Sequence, residues 1–285
     1  MPTSTYQYRG GMAARLQAKF EKEEQIEEER RSRPPLQTIA SNIRTTRKRC
    51  MALNQDYCVF ITGREGSGKS TLASHIVTMF DPDFNVDTGM IYELKGTQNS
   101  LVGFMDQFKN VPFKAAWYDE AVSVLFSQRH STRASAEAQE LFKIKRESRH
   151  FDILVSPSFW DLVPDIRERR VRTVLYCFYE TVRGKTGSDP NYVFKFASFS
   201  GEKIARLAMD RKIKYVFGTP ALLFKHVKPD FVESFPPMAP AFAKEYMRSK
   251  HAHRDSVLDS IRGKSELETQ VTQVNPKKKN DSLLL

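Results

Sequence analysis

Apolar positions along the chain recur with two periods, and the order in which these alternate predicts the fold. YCVFI (Tyr57–Ile61) is a continuous apolar run rich in β-formers, as a strand buried on both faces requires. A helix follows through TLASHIVTMF (Thr71–Phe80). Asn85–Leu94 contains a second predicted strand, clearest at GMIYEL, and Leu101, Phe104, Met105 and Phe108 give helical spacing within Ser100–Lys109. FKAAWY (Phe113–Tyr118) predicts a third strand, and a long helix runs from Ala134 to about Arg149. Two more strands are predicted at Phe151–Val155 and Val171–Phe178. Strands alternating with helices predict an α/β fold, a mostly parallel sheet flanked by helices on both faces.

The flanks read differently. Glu180–Pro190 is turn chemistry between the β-rich runs Val174–Tyr179 and Tyr192–Phe199, which predicts an appended β-hairpin. Pro220–Pro240, rich in proline and aromatics, is expected to wrap the surface, and a last helix to cover Pro240–Arg262. The polar tail with Lys277, Lys278 and Lys279 is expected to be disordered. At the other end, Phe20–Arg33 is nearly all charged, acidic first and basic last, an order that suits the helix dipole. With few apolar positions and Pro34–Pro35 to end it, it reads as a solvated or partner-bound helix. The basic cluster Arg44, Arg47, Lys48 and Arg49 reads as a solvated linker or as a nucleic-acid contact. The resulting division is a charged N-terminal extension (1–50), a core with its hairpin (51–218), a C-terminal wrapping segment and helix (219–262) and a basic tail (263–285).

Composition adds bounds. The 285 residues, 40% of them hydrophobic, suffice for one large α/β core with appendages. A net charge of +11 fits an acidic partner, with nucleic acid or a phosphate-rich surface first, or else a merely soluble basic protein. Cys50, Cys58 and Cys177 lack any C-x-x-C spacing, so neither a disulfide framework nor a zinc site is expected, and a reducing setting fits. The N-terminus has no apolar signal region, and no stretch approaches the roughly 18 apolar residues of a membrane span. The expected location is cytoplasmic, the host cytoplasm if the source is viral.

Gly63-Arg64-Glu65-Gly66-Ser67-Gly68-Lys69-Ser70 fits G-x-x-x-x-G-K-[ST], and Thr71 opens the helix behind it. Glycines let successive backbone N–H groups converge on phosphate oxygens, and the helix directs its positive end at the same anion. Lys69 is expected to reach the β- and γ-phosphates of ATP, and the Ser70 hydroxyl to bind Mg²⁺. Asp119 and Glu120 end an apolar strand. In this arrangement the aspartate holds Mg²⁺ and the glutamate polarises a water for in-line attack. A second carboxylate here favours hydrolysis over transfer, and the strand within Asn85–Leu94 suggests a layout with another strand between the two motif strands. These motifs make the fold class a P-loop NTPase of RecA-like type.

The run LFKIKRESRHFDILVSPSFWDL (Leu141–Leu162) resembles the FtsK–HerA superfamily of ring-forming DNA-pumping ATPases, including its zonular-occludens-toxin-like and viral packaging branches. The resemblance spans roughly Tyr57–Phe178 and implies a helix ending in an arginine, an apolar strand, and a polar sensor close to a proline. Arg149 would then be an arginine finger acting on a neighbouring subunit, with Arg167, Arg169 and Arg170 as rivals and a dipole-favoured helix-terminal cation as the bland reading. Ser156, or Ser158, would stand where the family usually places a sensor glutamine, a shorter side chain than the pattern expects.

A ring would pass nucleic acid through a pore. Candidate contacts are the loop Ser127–Arg133, with Arg129, His130 and Arg133, and the hairpin tip with Arg183 and Lys185. Such cations imply backbone contacts, salt-sensitive and sequence-tolerant; ordinary surface charge is the alternative. Phe159, Trp160 and Phe235 are read as packing residues rather than base-stacking ones. The function expected is ATP hydrolysis coupled to translocation or packaging of DNA by a homo-oligomeric ring. The alternatives are an ATP-switched assembly factor, docking a protein partner through its N-terminal helix or basic tail, and a P-loop kinase.

Overall fold

The computed structural model describes residues 34–95, 99–119, 133–182 and 191–274. The charged segment Phe20–Arg33 and the final tail from 275 lie outside these residues. Seven strands form one sheet: β1 (Tyr57–Gly63), β2 (Met90–Ile91), β3 (Ala115–Tyr118), β4 (Phe151–Val155), β5 (Val171–Val182), β6 (Asn191–Ser200) and β7 (Phe231–Ser234). Their spatial order is β2-β3-β4-β1-β5-β6-β7. The pairings from β2 to β5 are parallel, and β5–β6 and β6–β7 are antiparallel. This is the fold of a P-loop NTPase, with β4 lying between β1 and β3 as the motif layout requires and the predicted hairpin realised as β5–β6.

Ten helices are described: α1 (Gln37–Leu53), α2 (Lys69–Phe80), α3 (Val86–Gly89), α4 (Leu101–Phe108), α5 (Arg133–Glu147), α6 (Pro164–Arg169), α7 (Glu202–Met209), α8 (Arg211–Val216), α9 (Pro220–His226) and α10 (Pro240–Val274). They cover both faces of the sheet. One core cluster joins Val59, Ile61, Leu175, Cys177 and Phe196 to α1 through Ile39 and Ile43, to α2 through Leu72 and Ile76, and to α10 through Tyr246. The other joins Phe60, Tyr118, Leu154, Val174 and Phe199 to Phe104, Phe142, Ile204, Ile213 and Leu223 on the opposite helices. Full burial of one such aliphatic or aromatic side chain contributes about 1.5–3 kcal/mol. None of the described helices is long and apolar enough to cross a membrane.

Several expectations are corrected. Within Asn85–Leu94 only Met90–Ile91 is strand; Asn85 accepts a hydrogen bond from the Asp87 N–H at 2.8 Å and starts the short helix α3 instead. The third strand begins at Ala115, because Phe113 is left-handed at φ +65°. Pro220–Pro240 does not merely wrap: it holds helix α9 and edge strand β7, which pairs with β6 from Lys195↔Ser234 to Ser198↔Phe231. The final helix runs to Val274, into the tail expected to be disordered.

The basic cluster at 44–49 belongs to α1, a helix rather than a linker. Arg44, Lys48 and Arg49 are exposed, while Ile39, Ile43 and Cys50 are buried. The start of α1 has no side-chain cap of its own, since its N-cap residue is Leu36, left-handed at φ +65° and without an acceptor in its side chain. The Glu233 carboxylate of β7 supplies it, accepting from the Thr38 and Ile39 N–H groups at 2.7 and 3.1 Å.

On the α5 side of the sheet, Lys145 is buried in an ion pair with Asp152 and donates to the Tyr118 hydroxyl at 2.9 Å. Burial draws this ammonium below its usual range against the pull of Asp152. A second cation, Arg170, lies 4.0 Å from Asp152 and 2.5 Å from Asp56. Beside the pair, His150 is buried, and neither ring nitrogen has a hydrogen-bond partner among the described residues. Burial, then the Lys145 charge, hold its imidazole down at about 3.

Two outcomes follow. Lys145→Met removes the ammonium paired with buried Asp152, leaving it the Tyr118 hydroxyl and Arg170 at 4.0 Å, and should cost about 3–5 kcal/mol in urea unfolding at neutral pH. An unchanged midpoint would show that the pair contributes nothing. Because the folded His150 pKa lies below the unfolded value near 6.5, its contribution is complete above pH 6.5 and is lost as pH falls toward 3. That loss is at most about 5 kcal/mol, and His150→Phe should show a shallower decline of stability across the same window.

Candidate active site

β1 ends where a turn must bend back tightly against its neighbour. Gly63 has φ +141°, and a Cβ there would lie 2.2 Å from the Cys177 carbonyl oxygen of β5, so the close approach needs glycine. Gly66 and Gly68 are also left-handed, at φ +72° and +83°. The chain then enters α2 at Lys69, and the loop curls over the first turn that Lys69, Ser70 and Thr71 provide. Arg64, Glu65 and Gly66 are exposed and Ser67 is buried. The Lys69 ammonium donates to the Gly63 and Arg64 carbonyls at 3.0 and 2.9 Å, so it spans the loop.

Across from the loop, β3 delivers Asp119, which is 4% exposed. Its carboxylate accepts from the Ser70 hydroxyl at 3.1 Å, which brings together the two oxygens expected at a metal. A serine hydroxyl and a carboxylate form a hard donor pair, and Mg²⁺ is held by one or two protein oxygens with water and phosphate completing the shell. The residues present therefore fit Mg²⁺.

Two further partners of Asp119 come from α10 and were not read from the sequence. The Tyr246 hydroxyl donates to the carboxylate at 2.8 Å, and the Lys250 ammonium lies 3.1 Å from the same oxygen. The Tyr246 ring stacks on Trp117 at 5.2 Å with planes 3° apart. Burial pulls the Lys250 ammonium down, but the Asp119 carboxylate and the Tyr246 hydroxyl outweigh it and hold it above the usual lysine range. Burial, then the Asp119 charge, push the Tyr246 hydroxyl up. The sequence signal was the spacing Phe242, Tyr246, Ser249, His253, one helical face. Nothing in that spacing named Asp119 as its target.

Ser156 follows β4 at the loop end of the sheet. Its N–H donates to the Ile61 carbonyl at 3.1 Å and its hydroxyl to the Ser158 carbonyl at 3.3 Å. Thr62 donates to the Pro157 carbonyl at 3.1 Å, tying this turn to the residue before Gly63. Ser158 accepts from the Trp160 N–H and caps a short 3-10 turn, Phe159–Asp161.

Arg149 lies at the other end of the sheet. It precedes β4, whose Phe151 pairs with Tyr57 at the start of β1, so six strand residues, about 20 Å, separate it from Gly63. Its guanidinium donates to the Asn54 side chain at 2.8 Å and lies 6.0 Å from the Phe113 ring. α5 ends at Glu147, and Arg149, two residues on and left-handed at φ +57°, closes the turn through its N–H to the Arg146 carbonyl. Of the rival arginines, Arg167 donates to the Trp160 carbonyl, Arg169 pairs with Asp165 and Arg170 with Asp56.

Phe159 is fully buried and Phe235 nearly so, and Trp160 packs edge-on against Phe217 at 4.7 Å, as the packing reading expected. Glu120, Arg129, His130, Arg183 and Lys185 lie outside the described residues. Arg133 opens α5, and its side chain is likewise outside them.

No family model matches the chain, and no curated protein matches it. Among solved structures it is similar to the N-terminal domain of zonular occludens toxin from Neisseria meningitidis, at 15% identity and a TM-score of 0.36, covering 54% of this chain and 90% of that one. It is also similar to the genome packaging NTPase B204 from Sulfolobus turreted icosahedral virus 2 in complex with ATP-gammaS, at 15% identity and a TM-score of 0.35, covering 65% and 98%. A third is B204, the DNA-packaging ATPase from Sulfolobus Turreted Icosahedral Virus, at 15% identity and a TM-score of 0.34, covering 65% and 100%. At 15% identity and TM-scores of 0.34–0.36, these likenesses carry no argument about family or activity.

Tyr246→Phe keeps the stack on Trp117 and removes one hydrogen bond to a buried carboxylate. It should lower stability by about 1.5–3 kcal/mol in thermal or urea unfolding. A variant as stable as the parent would show that Asp119 does not depend on the Tyr246 hydroxyl.

Proposed function

We propose that the chain hydrolyses ATP and uses the cycle to move or package DNA as a homo-oligomeric ring. The observation that carries the hydrolytic part is the meeting of the Ser70 hydroxyl and the Asp119 carboxylate beside a glycine loop that ends in Lys69 and a helix N-terminus. Backbone N–H groups of the loop would bind the phosphates, and Lys69 would exchange the Gly63 and Arg64 carbonyls for the β- and γ-phosphate oxygens. Ser70 and Asp119 would hold Mg²⁺, which supplies charge neutralisation for the transferred group. Glu120, the next residue along, would orient the attacking water. Ser156, whose N–H bonds to the Ile61 carbonyl near the end of β1, would serve as the sensor.

The ring part rests on Arg149. Some 20 Å from its own loop, it can reach a γ-phosphate only in another copy, where it would stabilise transition-state charge. DNA would be held through backbone phosphates by the basic candidates at 129–133 and 183–185, in keeping with the +11 net charge.

A second reading, the ATP-switched assembly factor, is favoured by one observation: Lys250 and Tyr246 of α10 share the carboxylate that the metal would need. Nucleotide binding then has to rearrange the contact between α10 and Asp119, which is a way to signal the bound state to a protein partner.

ATP turnover by the full chain and by Glu120→Gln, with and without single- and double-stranded DNA at low and moderate salt, tests the proposal. Turnover should rise with DNA, more at low salt, and fall at least about 100-fold in Glu120→Gln. Turnover indifferent to nucleic acid would remove the motor reading and leave the switch. Recovery of activity on mixing Lys69→Ala with Arg149→Ala would show the finger acting across a subunit boundary; no recovery would count against it.

A further inference from the structure

The phosphate loop has two sides, and they differ in chemistry. Asp119 is on the β3 side, two strands from β1, so a triphosphate with its terminal phosphate at Ser70 and Asp119 leads its nucleoside the other way, over β5, β6 and β7. The surface there is aromatic. A Cβ on Gly68 would lie 3.0 Å from the Phe235 ring and 3.2 Å from the Phe194 ring, so both rings rest against the loop backbone itself. Phe194 is paired across the ladder with Tyr179, their rings 6.4 Å apart. Tyr192, two residues back along β6 and on the same face, lies edge-on to Tyr179 at 5.4 Å.

The same face, nearer the middle of the sheet, carries Cys177 and Phe196, which are buried under α2 and its neighbours. Past the loop that cover ends. Phe235 is 6% exposed, but Phe194 is 36%, Tyr179 49% and Tyr192 57% exposed. Aromatic side chains this exposed beside a phosphate site are not core packing, and the Phe194 contact at Gly68 joins them to the loop.

We propose that Tyr179, Tyr192 and Phe194 form the nucleobase subsite, on which the base of the triphosphate held by the phosphate loop packs. This rests on the reading of that loop as a nucleotide site and deepens it. Base–aromatic stacking is substantial and sequence-tolerant, because every base has a π-face. It therefore supplies affinity for the nucleoside that the loop, which contacts phosphates, does not.

Titration calorimetry of the full chain with ATP and with inorganic tripolyphosphate, both with Mg²⁺, tests this. The parent should bind ATP more tightly than tripolyphosphate. Tyr179→Ala should weaken ATP about tenfold and leave tripolyphosphate unchanged, while Tyr179→Phe keeps ATP affinity. Tyr192→Ala should act in the same direction. Unchanged ATP affinity in both alanine variants, or equal loss for ATP and tripolyphosphate, overturns the subsite. If the alanine variants instead lose only affinity for single-stranded DNA, the patch is a nucleic-acid platform and the proposal fails. A parent that binds neither ligand overturns the reading of the loop itself, a separate result from a parent that binds both and variants that do not change.

Discussion

The carboxylate of Asp119 ties together three parts of the chain that are far apart in sequence. Buried as it is, such a group is costly unless it is hydrogen-bonded and paired. Here α2 offers a hydroxyl, and α10 offers a hydroxyl and an ammonium. Because all three partners converge on one residue at the end of β3, α10 seats correctly only when β3 and the phosphate loop are already in register. Trp117, one layer below on β3, reinforces this by stacking with Tyr246.

The rest of the sheet follows from how its edges are finished. From β2 to β5 the strands are parallel, and β2, β3, β4 and β1 beyond Tyr57 are buried on both faces. The hairpin β5–β6 changes the direction of growth and extends past the cover of α2, which is how aromatic side chains come to stand in water beside the loop. Edge strand β7 ends the sheet with only four residues, a short edge that offers little template for further pairing.

Much of this was legible in the residues. The glycine loop and Asp119 were, because their chemistry is local: a strand, a fixed spacing of glycines, a helix and an acidic strand end. β1, β4 and the hairpin were legible from apolar runs and turn residues. What sequence missed was decided by tertiary partners. Met90–Ile91 is strand only because β3 lies beside it, and the rest of Asn85–Leu94 obeys the Asn85 cap instead. β7, in a proline-rich stretch, exists because β6 offers a free edge. The basic residues of α1 hid the buried stripe of Ile39, Ile43 and Cys50 beneath them. Tyr246 stands 127 positions from Asp119, and no local pattern links them.

The capping of α1 by Glu233 has a mechanical side. Glu233 holds the helix that follows directly on the N-terminal segment, and Phe235, two residues further along, rests against the backbone of Gly68. Next along, the Pro236 carbonyl lies 3.1 Å from the His75 ring nitrogen on α2. A stretch of four residues thus touches the N-terminal helix, the turn expected to cradle phosphate and α2 in succession. Glu233 and Phe235 thereby link the first turn of α1 to the loop backbone through one short edge segment, beside the Ile39 and Ile43 contacts that hold α1 in the core.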